Sequence, residues 1–166
     1  LRARPDGSVR EYVISPYQMA AQEGKYYLIC NYDKYEDISN YRVDRIKDLE
    51  ILDEPAKPFE SLPWAHGRSL DLAAYMREHP YMYSSENVRT KLKIVPTMVS
   101  DVIDMFGKEV RLEKEGDAVA VTLTANEMAL KQFAKNFAPD VVVLEPQTLR
   151  DQVREELERG AAAYRL

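Results

Sequence analysis

Three prolines fall within twelve residues, "DEPAKPFESLPW" from Asp53 to Trp64, and constrain this chain more than any other feature. Each fixes φ and removes a backbone donor, so neither a helix interior nor a central strand persists across that spacing. The stretch separates two differently patterned regions: short strands before it, strands alternating with helices after it. We read residues 1–54 as a small β-barrel, 55–87 as a proline-rich linker with a short helix, and 88–166 as a second domain. The expected fold class is α+β.

In the first region, Ser8 to Ile14 favours an extended strand, and Ser15-Pro16 reads as the turn that ends it. Glu23-Gly24 makes a second turn. Tyr26 to Tyr32 is strongly strand-prone, "DKYEDIS" is a loop or hairpin tip, "NYRVDRI" pairs back, and "KDLEIL" supplies a further strand or strand end. A meander of this kind curls into a small barrel. Within "NYRVDRI", period two sends Tyr41, Val43 and Arg45 one way and Arg42, Asp44 and Ile46 the other, leaving neither face purely apolar. A polar, cationic pocket built into the barrel accounts for that pattern. The chain opens on Leu1 with a Pro5-Asp6-Gly7 turn close behind. Its first strand therefore reads as truncated, cut from a longer protein, since a barrel without its opening strand has an unpaired edge.

After the prolines, "SLDLAAYMREH" has helical spacing, with Ser69 or Asp71 to cap it and Pro80 to end it. "PYMYSSEN" is a connector. From Val88 the order is strand, helix from Pro96 to Gly107, a hairpin turned at Glu115 to Asp117, a helix capped by Asn126, a strand, and a final helix. That is the split βαβ arrangement, with helices on one face of an antiparallel sheet. Val119, Val121 and Leu123 are expected to face the helices, and Ala118, Ala120, Thr122 and Thr124 to face away.

Catalytic constellations are thin. His66 and His79 have no partner at metal-ligand spacing, there is no glycine-rich phosphate loop, and Ser15, Ser69 and Ser100 have no visible triad partners. We expect no catalytic residue, no metal, no cofactor and no enzymatic activity. The single Cys30 excludes an internal disulfide and fits a reducing, cytoplasmic compartment. No apolar run is long enough for a membrane span. A net charge of −5 argues against non-specific wrapping of nucleic acid but leaves room for a local basic site. Eleven tyrosines are many for this length, and seven stand between Tyr12 and Tyr41. Two readings stay open. The rings fill the rim of a small barrel, or they form a stacking surface beside arginines that would hold bases and phosphates.

One stretch, "GKYYLICNYDKYEDISNYRVDRIKDLEIL", resembles the WYL-domain family of bacterial transcriptional regulators. Tyr26, Tyr27 and Leu28 stand for the name-giving triplet, with tyrosine in place of tryptophan, and "YRVDRI" from Tyr41 to Ile46 matches its downstream motif. "VISPYQM" is similar to the family's proline-turn segment, and "DVVVLEPQTLRDQV" to its C-terminal extension. The resemblance implies an Sm-like or SH3-like barrel followed by a ferredoxin-like extension, in a homodimer. It implies an N-terminal winged helix-turn-helix, absent from this chain, that binds operator DNA. It also implies a nucleotide-like or short nucleic-acid effector. Carried over by residue, the ligand contacts would be Arg42 and Arg45 for the anion, Tyr27, and Ser15 and Tyr17 as pocket walls. Apart from the resemblance, Arg150 stands at a strand-to-helix entry where an anion could be met, and would be an additional anion contact. A plainer account of the arginines stands beside this: Arg42 pairs with Asp44 or Glu50, and Arg45 lays its stem over the barrel with its head in water.

Overall fold

The structure is a computed structural model that describes residues 2–3 and 9–165. Backbone contacts divide the chain into two units, Leu1–Met76 with Tyr81–Ser84, and Arg77–Pro80 with Ser85–Leu166. Among the described residues the paired strands run antiparallel, in sheets of two, three and four strands, and four α-helices complete an α+β fold.

In the first unit, β1 (Arg2–Ala3) pairs with β2 (Val9–Arg10). The expected Pro5-Asp6-Gly7 turn lies outside the described residues. The expected strand from Ser8 to Ile14 is interrupted: Glu11 to Val13 carry no strand pairing, and β3 runs Ile14–Gln22. Ser15-Pro16 therefore lies inside a strand rather than in a turn. The reason is position. β3 is at the edge of the sheet β3-β4-β5, where proline's missing donor breaks no ladder bond. A bulge follows at once: Pro16 faces Cys30, Gln18 faces Ile29, and Tyr17 is the extra residue between them. Glu23 and Gly24 then turn the chain with φ of 49° and 71°, the positive pair that a tight two-residue hairpin requires. They lead into β4 (Lys25–Tyr32), which pairs with β5 (Ile38–Arg42).

The strand expected to continue through Ile46 stops at Arg42. Val43–Arg45 is a turn of 3-10 helix closed by Ile46 N donating to Val43 O at 3.1 Å, and Lys47 to Leu52 form no strand. A segment with charge on both faces has no apolar side to hold it against a sheet, so the period-two assignment of Tyr41 to Ile46 fails beyond Arg42.

The proline-rich stretch, read above as a linker, adds Phe59, Leu62 and Ala65 to a core with Ala20, Ile29, Ile38, Tyr75 and Met82. Edge-to-face rings run through it from Tyr17 to Phe59, Trp64 and Tyr75, with centroids 5.3, 5.9 and 5.8 Å apart. Lys57 N donates to Ser15 Oγ at 2.9 Å. Of the two candidate caps for α1 (Leu72–Glu78), Asp71 does the work, its Oδ1 accepting from Ala74 N at 3.0 Å.

The second unit follows the expected element order: β6 (Asn87–Ile94), α2 (Val99–Phe106) after a 3-10 turn at Pro96–Met98, β7 (Arg111–Glu115), β8 (Ala118–Asn126), α3 (Glu127–Asn136), β9 (Val141–Glu145) and α4 (Gln147–Ala163). Its sheet runs β7-β8-β6-β9. Val121 and Leu123 sink into a core shared with Leu92, Val143, Val102, Leu130, Phe133 and Leu149, and Val119 packs against it, as the alternation requires. Asn126 caps α3 by accepting from Ala129 N at 3.1 Å and donates to Ser85 O at 2.8 Å. Gly107, φ 86°, ends α2 with its N–H on Ile103 O. Among the described residues, no helix is long and apolar enough to cross a membrane.

Candidate functional site

Alternation along β4 decides which of the expected residues can act together. Tyr27, Ile29 and Asn31 point to one face, and Tyr26, Leu28, Cys30 and Tyr32 to the other. Residues directly opposite in an antiparallel pair share a face. Tyr27 stands opposite Arg42 on β5 and Ala20 on β3, so Tyr27 and Arg42 are neighbours on the face that carries the core.

Arg42 is forked onto Asp44. Its Nε donates to Oδ1 at 3.0 Å and its Nη2 to Oδ2 at 2.5 Å, with a quarter of the arginine side chain exposed. The hydrogen bond to Asp44 raises the Arg42 pKa, and the same bond holds the Asp44 carboxyl below the usual aspartate range. Arg45, exposed at the end of the 3-10 turn, adds a smaller pull on Asp44 and has no ion pair of its own among the described residues. Both guanidiniums thus act on one carboxylate supplied by the chain itself.

Ser15 and Tyr17 belong elsewhere. Ser15 faces Asn31, four residues along β4 from Tyr27, which is about 13 Å at the rise of an antiparallel strand. Its hydroxyl is already engaged by Lys57 N. Tyr17 packs on Phe59, and its buried hydroxyl has no hydrogen-bond partner at good geometry. Burial first, then the Cys30 thiol, pushes the phenol pKa up, while the nearby Ser15 hydroxyl opposes the shift. These two residues brace the proline-rich stretch. Arg150 is exposed in the first turn of α4, in the second unit.

The tyrosines divide between the two faces. Tyr32 and Tyr41 lie on the side away from Tyr27, and Tyr12 joins both edge-on at 5.1 and 5.4 Å. The cation over that cluster is Arg10, its guanidinium carbon 5.4 Å from the Tyr12 ring centre. Of the two open readings, a stacking surface beside Arg42 would therefore rest on Tyr27 among the described residues. Nothing in the spacing of the tyrosines alone separates these faces; the separation follows once Tyr26-Tyr27-Leu28 is known to be strand.

The description of the WYL domain matches residues 2–51, and that of the WCX domain matches residues 86–161. The chain carries a WYL domain and a WCX domain. Its WYL domain carries the Tyr27–Arg42 pair, and its WCX domain is the four-stranded sheet with its helices. The fold is similar to that of a CRISPR Cas-related protein of known crystal structure, with a TM-score of 0.60 and 20% identity over 93% of this chain. A weaker likeness, TM-score 0.45 and 17% identity over 99% of this chain, is to proteasome accessory factor B/C of Arthrobacter aurescens. The chain spans 44% of the first of these proteins and 24% of the second. The curated proteins contain no match.

Proposed function

We propose that this chain is the ligand-sensing and dimerisation region of a cytoplasmic, DNA-binding transcriptional regulator, and that it acts by regulation rather than catalysis. The effector is anionic, nucleotide-like or a short nucleic acid. The operator is read by a domain outside this chain. The observation that carries the reading is the face shared by Tyr27 and Arg42, with Arg45 close enough to act on the same carboxylate. A ring beside a guanidinium suits a base and a phosphate together.

Asp44 sets the terms. An entering phosphate competes with it for the guanidinium fork, so effector binding exchanges one anion for another and alters the turn that Asp44 belongs to. For regulation, the effector must bind one dimer arrangement better than the other, because equal affinity shifts no population.

Calorimetry of the full-length protein with short single-stranded oligonucleotides and with nucleotides tests this. Binding that is lost in Arg42→Ala, Arg45→Ala supports the site. Equal binding by that double variant removes it. The alternative is a structural dimerisation module or nucleic-acid accessory domain without small-molecule sensing, and the observation in its favour is that Arg42 is already satisfied by Asp44. It expects no effector binding and an unchanged dimer in the double variant.

A further inference from the structure

The WCX domain has a groove of its own, about 530 Å³, lined by Arg89, Lys91, Arg111, Thr122, Glu113 and Glu145 among others. Sheet register builds it. Arg111 of β7, Thr122 of β8, Lys91 of β6 and Glu145 of β9 form one row across all four strands. Arg89 and Thr124 stand in the next row. Strands lie about 4.8 Å apart, so Arg111 and Lys91 flank Thr122 across about 10 Å. The opposite residues of β6 and β8, Leu92 and Val121, are in the core, so this row lies on the face turned away from it.

The cations are unequally committed. Lys91 meets Glu115 at 3.0 Å and Arg111 meets Glu113 at 2.6 Å. Arg89 is exposed and has no ion pair among the described residues. We propose that the groove binds a compact small molecule carrying two oxyanions, held by Arg89, Lys91 and Arg111 around the Thr122 hydroxyl.

Three features set that class. No aromatic ring is among the residues that line the groove, so nothing there stacks a base. Glu113 and Glu145 line it too, and a continuous phosphate chain laid across it would meet like charge. The volume falls within the roughly 300–1,000 Å³ of small-molecule sites. On binding, one oxyanion meets Arg89 directly, and the other shares Lys91 and Arg111 with their carboxylates. Phosphate and carboxylate ligands offer the same chemistry, and the two arms of the test separate them. The proposal is independent of the effector site on the WYL domain.

The experiment is an amide chemical-shift titration of the full chain with inorganic pyrophosphate and, separately, with succinate. Saturable shifts at residues 89–91, 111 and 122 are expected with at least one probe, and the tighter probe names the oxyanion. Arg89→Ala should weaken binding about tenfold, the loss of one charge-assisted contact. Arg111→Ala should act in the same direction, and Arg159→Ala, at an exposed position of α4, should leave the titration unchanged. Matching amide dispersion verifies that each variant is folded. The proposal is overturned by no saturable shift at these residues with either probe, by wild-type affinity in both Arg89→Ala and Arg111→Ala, or by shifts confined to the WYL domain.

Discussion

Arg42 and Asp44, two residues apart, are joined by two hydrogen bonds of 3.0 and 2.5 Å, so the cation proposed to meet the effector already holds an anion. The carboxylate is the more exposed partner, 59% against 25%, and is the one free to leave. Exposed pairs of this kind are weak, because water and salt screen them.

Removing that competitor should therefore help the ligand. Asp44→Asn is expected to tighten binding of an anionic effector by roughly two- to fivefold, the range set by an exposed ion pair. Calorimetry beside the wild type measures it. Unchanged or weaker binding would show that Asp44 positions Arg42 instead of occupying it.

Glu156 on α4 is held by Lys135 at 2.6 Å and Lys131 at 3.0 Å, both on α3, and its pKa is lowered to about 2. A depressed carboxylate contributes stability above its unfolded pKa, near 4.5, and loses it as pH falls toward the folded value. With solvent screening, Glu156→Gln should cost about 1 kcal/mol at neutral pH. Urea unfolding at several pH values should show the gap between the two proteins closing from 4.5 toward 2. A gap independent of pH would mean that the charge contributes nothing.

Asn126 serves two elements at once, capping α3 and tying it to Ser85. Asn126→Ala should destabilise the WCX domain by about 2 kcal/mol, combining a lost cap with a buried carbonyl left unpaired. Asn126→Asp retains the cap acceptor and should fall between the two in thermal unfolding. If alanine matches asparagine, the cap is dispensable.

Tyr17→Phe removes a buried hydroxyl that has no well-placed partner. Stability should hold or rise by about 1 kcal/mol. Effector affinity should be unchanged, since Tyr17 faces Phe59 and not Arg42. A drop in affinity without a drop in melting temperature would return Tyr17 to the ligand site.

The WCX domain is largely legible in its sequence because both of its periodicities are clean. Val121 and Leu123 alternate with Thr122 and Thr124, and Asn126 introduces a helix whose apolar residues recur at helical spacing. The same alternation, in Arg89, Lys91 and Lys93, already marks the polar face of β6. The WYL domain is harder to read. Pro16 looks like a turn because a local rule cannot know that its strand is at a sheet edge. Val43 to Arg45 looks like strand because the failure of either face to find apolar cover is a tertiary fact. Phe59 and Leu62 sit among prolines, whose punctuation masks two core residues. The pairing of Arg42 with Asp44 is one of the two partners the sequence allowed, and the choice between Asp44 and Glu50 depends on where the strand ends.

Pro16 has one more consequence. The outer margin of β3 offers a broken row of donors, interrupted by a ring that cannot contribute one and kinked again by the extra Tyr17. A stray extended peptide cannot zip along such a border, so this small sheet is guarded against fibrous self-stacking without a single charge being spent there.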